Sequence, residues 1–234
     1  VRRYGFHGLS HQGVLAAVST ELKRPPSELR IASCHIGSGA SVCAIDRGRS
    51  VDTSMGMTAL EGLVMGTRCG DLDPGVPGFV ARALGLTLAQ IEAALYSDSG
   101  LKGLSGESSD LRIVEKRAGE GVGAAQLAMQ VHAYRVRKYI GAYAAAMGGC
   151  DAVAFTGGAG ENSAALRRRI VDGLEFIGLE LDEERNRAYS PNTEVAQLQS
   201  SRSAVAVLVV QAREQLAIAR ETFRALNDQA SGLV

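Results

Sequence analysis

The side chains best suited to chemistry in this 234-residue chain gather in a few glycine-rich stretches. The densest spans residues 52–75, where Asp52, Glu61, Arg68, Asp71 and Asp73 sit among five glycines and few large apolar residues. A segment that fills a core is not built this way. Its length also exceeds what a compact domain ordinarily spends on an unstructured connection, and loops on a rigid scaffold are where chemistry concentrates. Glycine there lets backbone approach a ligand closely. The plain alternative is a surface loop, the ordinary home of Gly and Asp. Within the stretch, Arg68 stands between small residues in GTRCGD. It can grip a phosphate or carboxylate through two parallel N–H groups, or it forms a surface ion pair with Asp71 or Asp73.

Three shorter motifs carry related chemistry. FTGGAGEN (155–162) follows an apolar run and leads into a helical pattern. Bare glycine backbone lets a flat nucleotide lie close, and the free N–H groups that open a helix attract phosphate. It is not the dinucleotide fingerprint, because Ser163 stands where the last glycine belongs, and no Gly-Lys-Ser/Thr follows as in a P-loop. An ordinary tight strand-to-helix turn reads equally well. HIGSGAS (35–41) is a hairpin turn whose glycines flank Ser38, either an anion-binding nest of successive N–H groups or a plain loop. His7 and His11, four apart in GFHGLSH, would share a helix face, as metal-binding histidines do. Gly8 stands where a zincin carries Glu, so His7 reads better as a neutral hydrogen-bond donor beside a ligand. For His11, His35 and His132 the plain alternative is a histidine satisfied in the core.

The elements that must position these residues follow from periodicity. Residues 10–22 predict a helix stopped by Pro25 and Pro26. Strands are expected at 31–36, 40–46 and 49–53, joined by tight turns into an antiparallel meander. Helices are expected at 86–96 with Thr87 as N-cap, from 111 with Ser109 or Asp110 as cap, and over 123–147, ended by Gly148 and Gly149. Residues 97–110 read as a Ser/Gly-rich loop. Later come a buried strand at 152–155, a helix at 163–171, an extended run at 174–181, an apolar strand at 204–210 and an amphipathic helix at 213–226. Early antiparallel strands followed by strand–helix alternation predict an α/β fold, a mixed sheet flanked by helices.

Composition narrows the function. Hydrophobic residues make up 46% and charged residues 21%, and 25 Lys plus Arg balance 25 Asp plus Glu. That balance excludes the basic footprint of a nucleic-acid binder, and no apolar run reaches membrane-spanning length. Cys34, Cys43, Cys69 and Cys150 show no CxxC spacing, which predicts reduced thiols in a cytoplasmic protein. The chain opens on Val1, inside the dense motif RRYGFHGLSH, so we expect an N-terminal portion to precede it.

In order and approximate spacing, YGFHGLSH, HIGSGAS, DTSMGMTALEGLVMGTRCGDLDP and FTGGAGEN resemble the acetate kinase family, and REQLAIARET resembles its last block. The resemblance runs from Arg2 to about Arg224, and the long third block is its most specific part. It does not separate acetate kinases from propionate-preferring relatives. The fold it implies is actin-like (ASKHA, sugar-kinase/Hsp70-type, ribonuclease H-like), with two similar domains closing on a nucleotide. Residues 1–210 would be the second domain, and 211–234 a helix packing on the first. The implied activity is reversible phosphoryl transfer from ATP to acetate, giving acetyl phosphate and ADP, with Mg²⁺ or Mn²⁺. The resemblance further implies a cytoplasmic homodimer without nucleic-acid or membrane partners. A propionate kinase, or a nucleotide-binding module without turnover, are the alternatives.

By that resemblance His7 would bind the transferring phosphoryl group and Arg68 the carboxylate or acyl phosphate. Glu214 would organise the metal. His35, Gly37 and Gly39 would face the phosphates. Asp110, Leu111 and Arg112 would border adenosine, together with Gly158, Ala159, Gly160 and Asn162. Phe6 would line the acyl pocket. Two positions depart from the family pattern: Ser38 replaces the usual asparagine, and Ala59 the usual proline beside the acyl pocket. Losing that ring enlarges the pocket toward propionate, a discrimination worth only ~1–3 kcal/mol per methylene.

Overall fold

From residue 30 the apolar pattern alternates, and the chain doubles back twice. The computed structural model describes residues 2–230, so Val1 and 231–234, the end of the expected 211–234 segment, lie outside the described residues. After α1 (Gly8–Leu22), β1 (Arg30–Ile36) pairs antiparallel with β2 (Ala40–Asp46), and β3 (Arg49–Thr53) completes the expected meander. Five helices follow: α2 (Gly75–Leu84), α3 (Leu88–Ser97), α4 (Gly100–Ser105), α5 (Leu111–Gly119) and the long α6 (Gly123–Ala146). Then come β4 (Ala152–Thr156), α7 (Gly157–Asn162), α8 (Ala164–Val171), α9 (Glu183–Ala188), β5 (Val195–Gln197), β6 (Ala206–Val210) and α10 (Glu214–Ala230). The sheet order is β3-β2-β1-β4-β6-β5, with β1, β4 and β6 parallel and the outer strands antiparallel.

Both sheet faces are buried, and strand alternation divides them. Ala32, Cys34 and Ile36 of β1 and Ala40, Val42 and Ala44 of β2 face α6, where Met129, Val136 and Ile140 close the larger core. Ile31, Cys43 and Ile45 face the other way, onto Val14 and Val18 of α1. Small residues on the strands let the helices approach.

The long segment between β3 and α2 has almost no regular structure, yet it is not a surface loop. Met55, Leu63, Val64 and Met65 are buried, so part of it fills the core after all. Two of its glycines serve the segment's own packing. Gly62 and Gly70 have φ of 109° and 71°, and a Cβ on either would strike the segment's own backbone, Ser54 O and Leu63 O respectively. Helix α6 stitches the segment down from one face, at spacing i, i+3, i+7. His132 Nδ1 lies 2.7 Å from Val64 O, Arg135 Nη2 donates to Asp71 O at 2.8 Å, and Tyr139 Oη donates to Asp71 Oδ2 at 2.8 Å. Asp71 Oδ1 then accepts from Gly62 N at 2.9 Å.

Other local readings shift. Residues 97–110 contain α4, because Leu101 is buried and its N–H reaches Met65 O, a tertiary partner that periodicity cannot register. The run 174–181 is not extended: it makes a one-turn 3₁₀ helix at Glu175–Ile177 that ends on Gly178, at φ 82°. The motif at 157–162 is already helical, ahead of the expected start at 163. Helix α2 and the short α9 and β5 had no counterpart in the sequence reading. Asp110, not Ser109, caps α5 through Arg112 N at 2.9 Å, and Thr87 forms a full capping box with Gln90.

Removing the Tyr139 hydroxyl (Tyr139→Phe) should cost about 1 kcal/mol in urea unfolding. Arg135→Met should cost a similar amount. Because both side chains hold Asp71, the double variant should depart from additivity by at least about 0.5 kcal/mol. Strict additivity would mean that the two ties act independently.

Candidate functional site

Helix α1 begins on a strained residue. His7 takes a left-handed conformation, φ 61° and ψ 30°, unusual for a side chain with a Cβ and of the kind that persists where surrounding contacts hold it. The preceding segment is pinned along 53–56: Tyr4 N donates to Gly56 O at 2.9 Å, and Arg3 reaches Thr53 O at 3.0 Å and Glu61 Oε1 at 2.6 Å. A Cβ on Gly5, at φ 69°, would lie 2.6 Å from Thr53 Cγ2, so only glycine lets the two segments run this close.

From there, residues 7, 10 and 11 project from one face of α1 onto the β1–β2 hairpin. His7 Nδ1 and His11 Nε2 each lie 2.9 Å from Ser41 Oγ. His11 Nδ1 lies 2.8 Å from Ser33 Oγ, and His35 Nδ1 lies 2.8 Å from Ser10 Oγ. The rings of His7 and His35 stack with centroids 4.1 Å apart. Three histidines and three serines thus form one polar seam at the end of the sheet, above the apolar packing of Val14 and Val18. His11 is spent inside this seam. His132 is the core histidine of the four and serves the segment tie described above.

Arg68 arrives from the long segment. Its guanidinium donates to Ala59 O at 3.0 Å and lies 3.4 Å from Met65 Sδ, and among the described residues it has no carboxylate partner. The ion-pair alternative fails because Asp71 is taken by Gly62, Tyr139 and Arg135, while Asp73 accepts from Gly75 N at 2.7 Å. A Cβ placed on Gly39 would lie 3.5 Å from Arg68 Nη2 and 3.6 Å from His7 Nε2. The guanidinium and the imidazole therefore converge on one point beside the hairpin turn. The turn itself is not a nest: neither Gly37 nor Gly39 has positive φ, and Gly37 N–H is consumed by Gly39 O at 3.0 Å. What glycine contributes at 39 is empty space between two donors.

A cleft of about 690 Å³ opens from this point. Its lining brings together Gly37, Ser38 and Arg68, then Asp110, Leu111 and Arg112 at the start of α5, and a wall from Gly158, Ala159 and Asn162 of α7. A Cβ on Gly158 would meet nothing within 4 Å, so at that residue the wall is bare backbone. Gly160 is not on it: it is buried against Phe155, and its smallness serves packing. Arg112 folds back on Asp110, with Nη2 2.6 Å from Oδ2. Phe6 is partly exposed near His7, and Ala59 packs against the larger core next to Arg68. Glu214, at the first turn of α10, is close enough to His7 to favour its proton. Sequence reasoning missed Glu115 and Ser163, which line the cleft and share a 2.6 Å hydrogen bond. A single Glu on an amphipathic helix gives no signal of this.

Burial, then the adjacent His35 ring, lower the His7 pKa to about 4, with Arg68 adding to the drop and Glu214 opposing it. Burial likewise takes His11 to about 3 and lowers His35. All three are neutral donors or acceptors at neutral pH. Each has a folded pKa below its unfolded value near 6.5, so unfolding takes up protons once the pH drops below 6.5. Stability should be full above that pH and fall progressively toward pH 4, with His11 alone approaching about 1.4 kcal/mol per pH unit. Thermal melts between pH 7.5 and 4.5 should show this decline, and His11→Asn should flatten it.

The family model of the acetokinase family matches residues 1–220. The acetate kinase of Heliobacterium modesticaldum is 50% identical over 226 residues, covering 97% of this chain and 56% of that protein. The acetate kinase of Methanosarcina thermophila is 45% identical, covering 95% and 54%. Among solved structures, Porphyromonas gingivalis acetate kinase superposes with a TM-score of 0.92 at 45% identity, covering 97% of this chain and 56% of that one. A Francisella tularensis propionate kinase gives 0.86 at 36%, covering 94% and 55%. The chain thus spans about half the length of the curated relatives it matches, and its mixed sheet flanked by helices is the actin-like fold. On these matches, the chain belongs to the acetokinase family.

Proposed function

We propose that the protein transfers a phosphoryl group reversibly from ATP to acetate, yielding acetyl phosphate and ADP, and that this chain carries the nucleotide cleft and the phosphoryl grip. The observation that carries this reading is the convergence of Arg68 and His7 Nε2 beside Gly39, next to a cleft that Arg68 lines together with the bare backbone of Gly158. Phosphoryl transfer asks mainly for positioning and charge neutralisation. Arg68, free of any carboxylate partner among the described residues, supplies the fixed positive charge. His7, neutral and held in place, supplies a hydrogen bond without a second cation. Adenosine lies between the start of α5 and Gly158, Ala159 and Asn162, and its phosphates run past Gly37 toward His35 and Gly39. The acyl group meets Phe6 and Ala59. Acetate is already ionised at neutral pH, so it attacks the γ-phosphorus without a general base.

Among the described residues, no group of three His, Cys, Asp or Glu side chains could hold a metal by itself. That suits Mg²⁺, which binds through one or two carboxylates plus substrate phosphates. Glu214 would be the protein ligand, and the ion's chemistry there is neutralisation of phosphate charge. In the same reading residues 1–210 form the nucleotide-binding domain, and α10 turns its exposed Ile218, Phe223 and Leu226 onto a further domain of a cytoplasmic homodimer.

Propionate is the second substrate to weigh. Ala59 stands beside Arg68, and a propionate kinase is among the similar structures. Ala59→Pro should narrow the pocket and lower kcat/KM for propionate relative to acetate by about tenfold. An unchanged ratio would remove Ala59 from the acyl pocket.

The direct test is trapping of acetyl phosphate as hydroxamate from ATP and acetate. It is run on this chain alone and on the chain joined to the part of a relative that it does not cover. Product in either supports the reading. Absence in both, with ATP-analogue protection mapped away from Gly158 and Arg68, overturns it. In the active form Arg68→Ala should lower turnover by about 10²–10³-fold, the loss expected for one preorganised charge contact.

A further inference from the structure

The seam of histidines and serines has one proton arrangement that satisfies every buried hydroxyl. Ser33 is fully buried, and its hydroxyl meets His11 Nδ1. Ser10 is buried, and its hydroxyl meets His35 Nδ1. Ser41, also fully buried, lies between His7 Nδ1 and His11 Nε2 and has one proton to give. If Ser33 donates to His11 Nδ1, then His11 carries its proton on Nε2 and donates to Ser41, and Ser41 donates to His7 Nδ1. His7 is left with its proton on Nε2, the atom that faces Arg68 beside Gly39. Reversing the His11–Ser33 link strands the Ser33 O–H without an acceptor in the seam, and reversing only the His7–Ser41 link makes Ser41 accept from both imidazoles and strands its own O–H. A buried unsatisfied donor costs more than a typical hydrogen bond gains, which selects the first direction. The same argument at Ser10 puts the His35 proton on Nε2, whose atom lies 3.2 Å from a Cβ position on Gly157, at the start of α7.

We propose that Ser10, Ser33 and Ser41 are positioning residues that lock His35, His11 and His7 as Nε2–H tautomers. The stacked pair His7 and His35 thereby presents two neutral N–H donors to the oxygens of a phosphoryl ligand. The identity of that ligand rests on the phosphotransfer reading; the tautomers rest on geometry alone. His7 does the contacting, and the serines act through it. A Ser41 change should therefore alter which nitrogen carries the proton rather than remove a ligand contact.

His132 supplies the internal control. Its Nδ1 faces the carbonyl of Val64, which can only accept, so His132 must carry its proton on Nδ1. Imidazole ¹⁵N spectra of the 234-residue chain at pH 7 should therefore show three histidines protonated on Nε2 and one on Nδ1. Ser41→Ala should introduce an Nδ1–H population at His7 while His35 stays unchanged. Ser10→Ala should do the same at His35 and spare His7. Added acetyl phosphate should shift the Nε2 signals of both His7 and His35 in the unaltered chain. An Nδ1–H form at His7 or His35 in the unaltered chain, or serine variants that leave their own histidine unmoved, would refute the lock. Correct tautomers with no response to acetyl phosphate would refute the paired donors. Correct tautomers and shifts without turnover in the hydroxamate assay would instead count against the phosphotransfer reading and leave this proposal standing.

Discussion

The architecture of the site depends on one constraint: a long segment without regular structure must hold an arginine rigidly. Such a segment cannot hold itself, because each of its backbone groups needs a partner that a helix or strand would have supplied locally. Here α6 supplies them from a single face through His132, Arg135 and Tyr139. The neighbouring helices add more: Cys69 N donates to Leu95 O, Ser99 N to Thr67 O and Lys102 N to Gly66 O, all near 3.0 Å. Gly66 N in turn reaches Ser38 O in the hairpin turn at 3.3 Å, which joins the segment to the sheet. Arg68 thereby inherits the rigidity of the helical layer, and its guanidinium needs no ion pair to be oriented.

The opposite side of the site is held differently. There the sheet and α1 are both regular, and what fixes the imidazoles is the register between them. His35 opposite Ser41 in the hairpin, and residues 7, 10 and 11 on one helix face, bring six polar side chains into one plane of contact. The left-handed backbone at His7 is the local cost of turning its ring into that plane at the point where the helix begins. One cation combined with neutral N–H donors also avoids the repulsion that two charged groups would meet at this distance, and burial keeps the imidazoles neutral.

Much of the fold was legible in the sequence because it rests on local patterns. The helix ending before Pro25, the meander turning at Gly37–Gly39, the strand at 152 and the Thr87 cap all follow from periodicity and capping chemistry. What was not legible depends on partners distant in the chain. Leu101 belongs to a helix because its N–H finds Met65 O, and the glycines at 62 and 70 meet their own segment rather than a ligand. In the site, residue types pointed to Arg68, His7 and the glycine walls, while Gly160 turned out to be packing. Ser33 and Ser41 were visible only as small polar residues on strands that are buried on both faces, and Ser10 only as one small polar residue in a helix. A buried polar side chain on a strand requires a partner, and that requirement was the available signal.

Glu161 shows how the parts of the cleft are kept in register. Its Oε1 accepts from Gly157 N at 2.9 Å, at the start of the glycine wall, and from Ala212 N at 2.9 Å, two residues before Glu214. One carboxylate oxygen therefore ties the strand end that presents the wall to the loop that launches α10. Beneath it Arg167, almost fully buried, donates to Gly160 O at 2.9 Å and Glu161 O at 2.7 Å, and its Nε to Asn186 Oδ1 at 2.8 Å. Burial lowers the Arg167 pKa to about 10, which still leaves it charged, so the cation caps the last carbonyls of α7, those of Gly160 and Glu161. The wall and the helix that carries Glu214 are thereby tied to one carboxylate. A ligand that contacts both the wall and Glu214 would meet a surface whose spacing is already set.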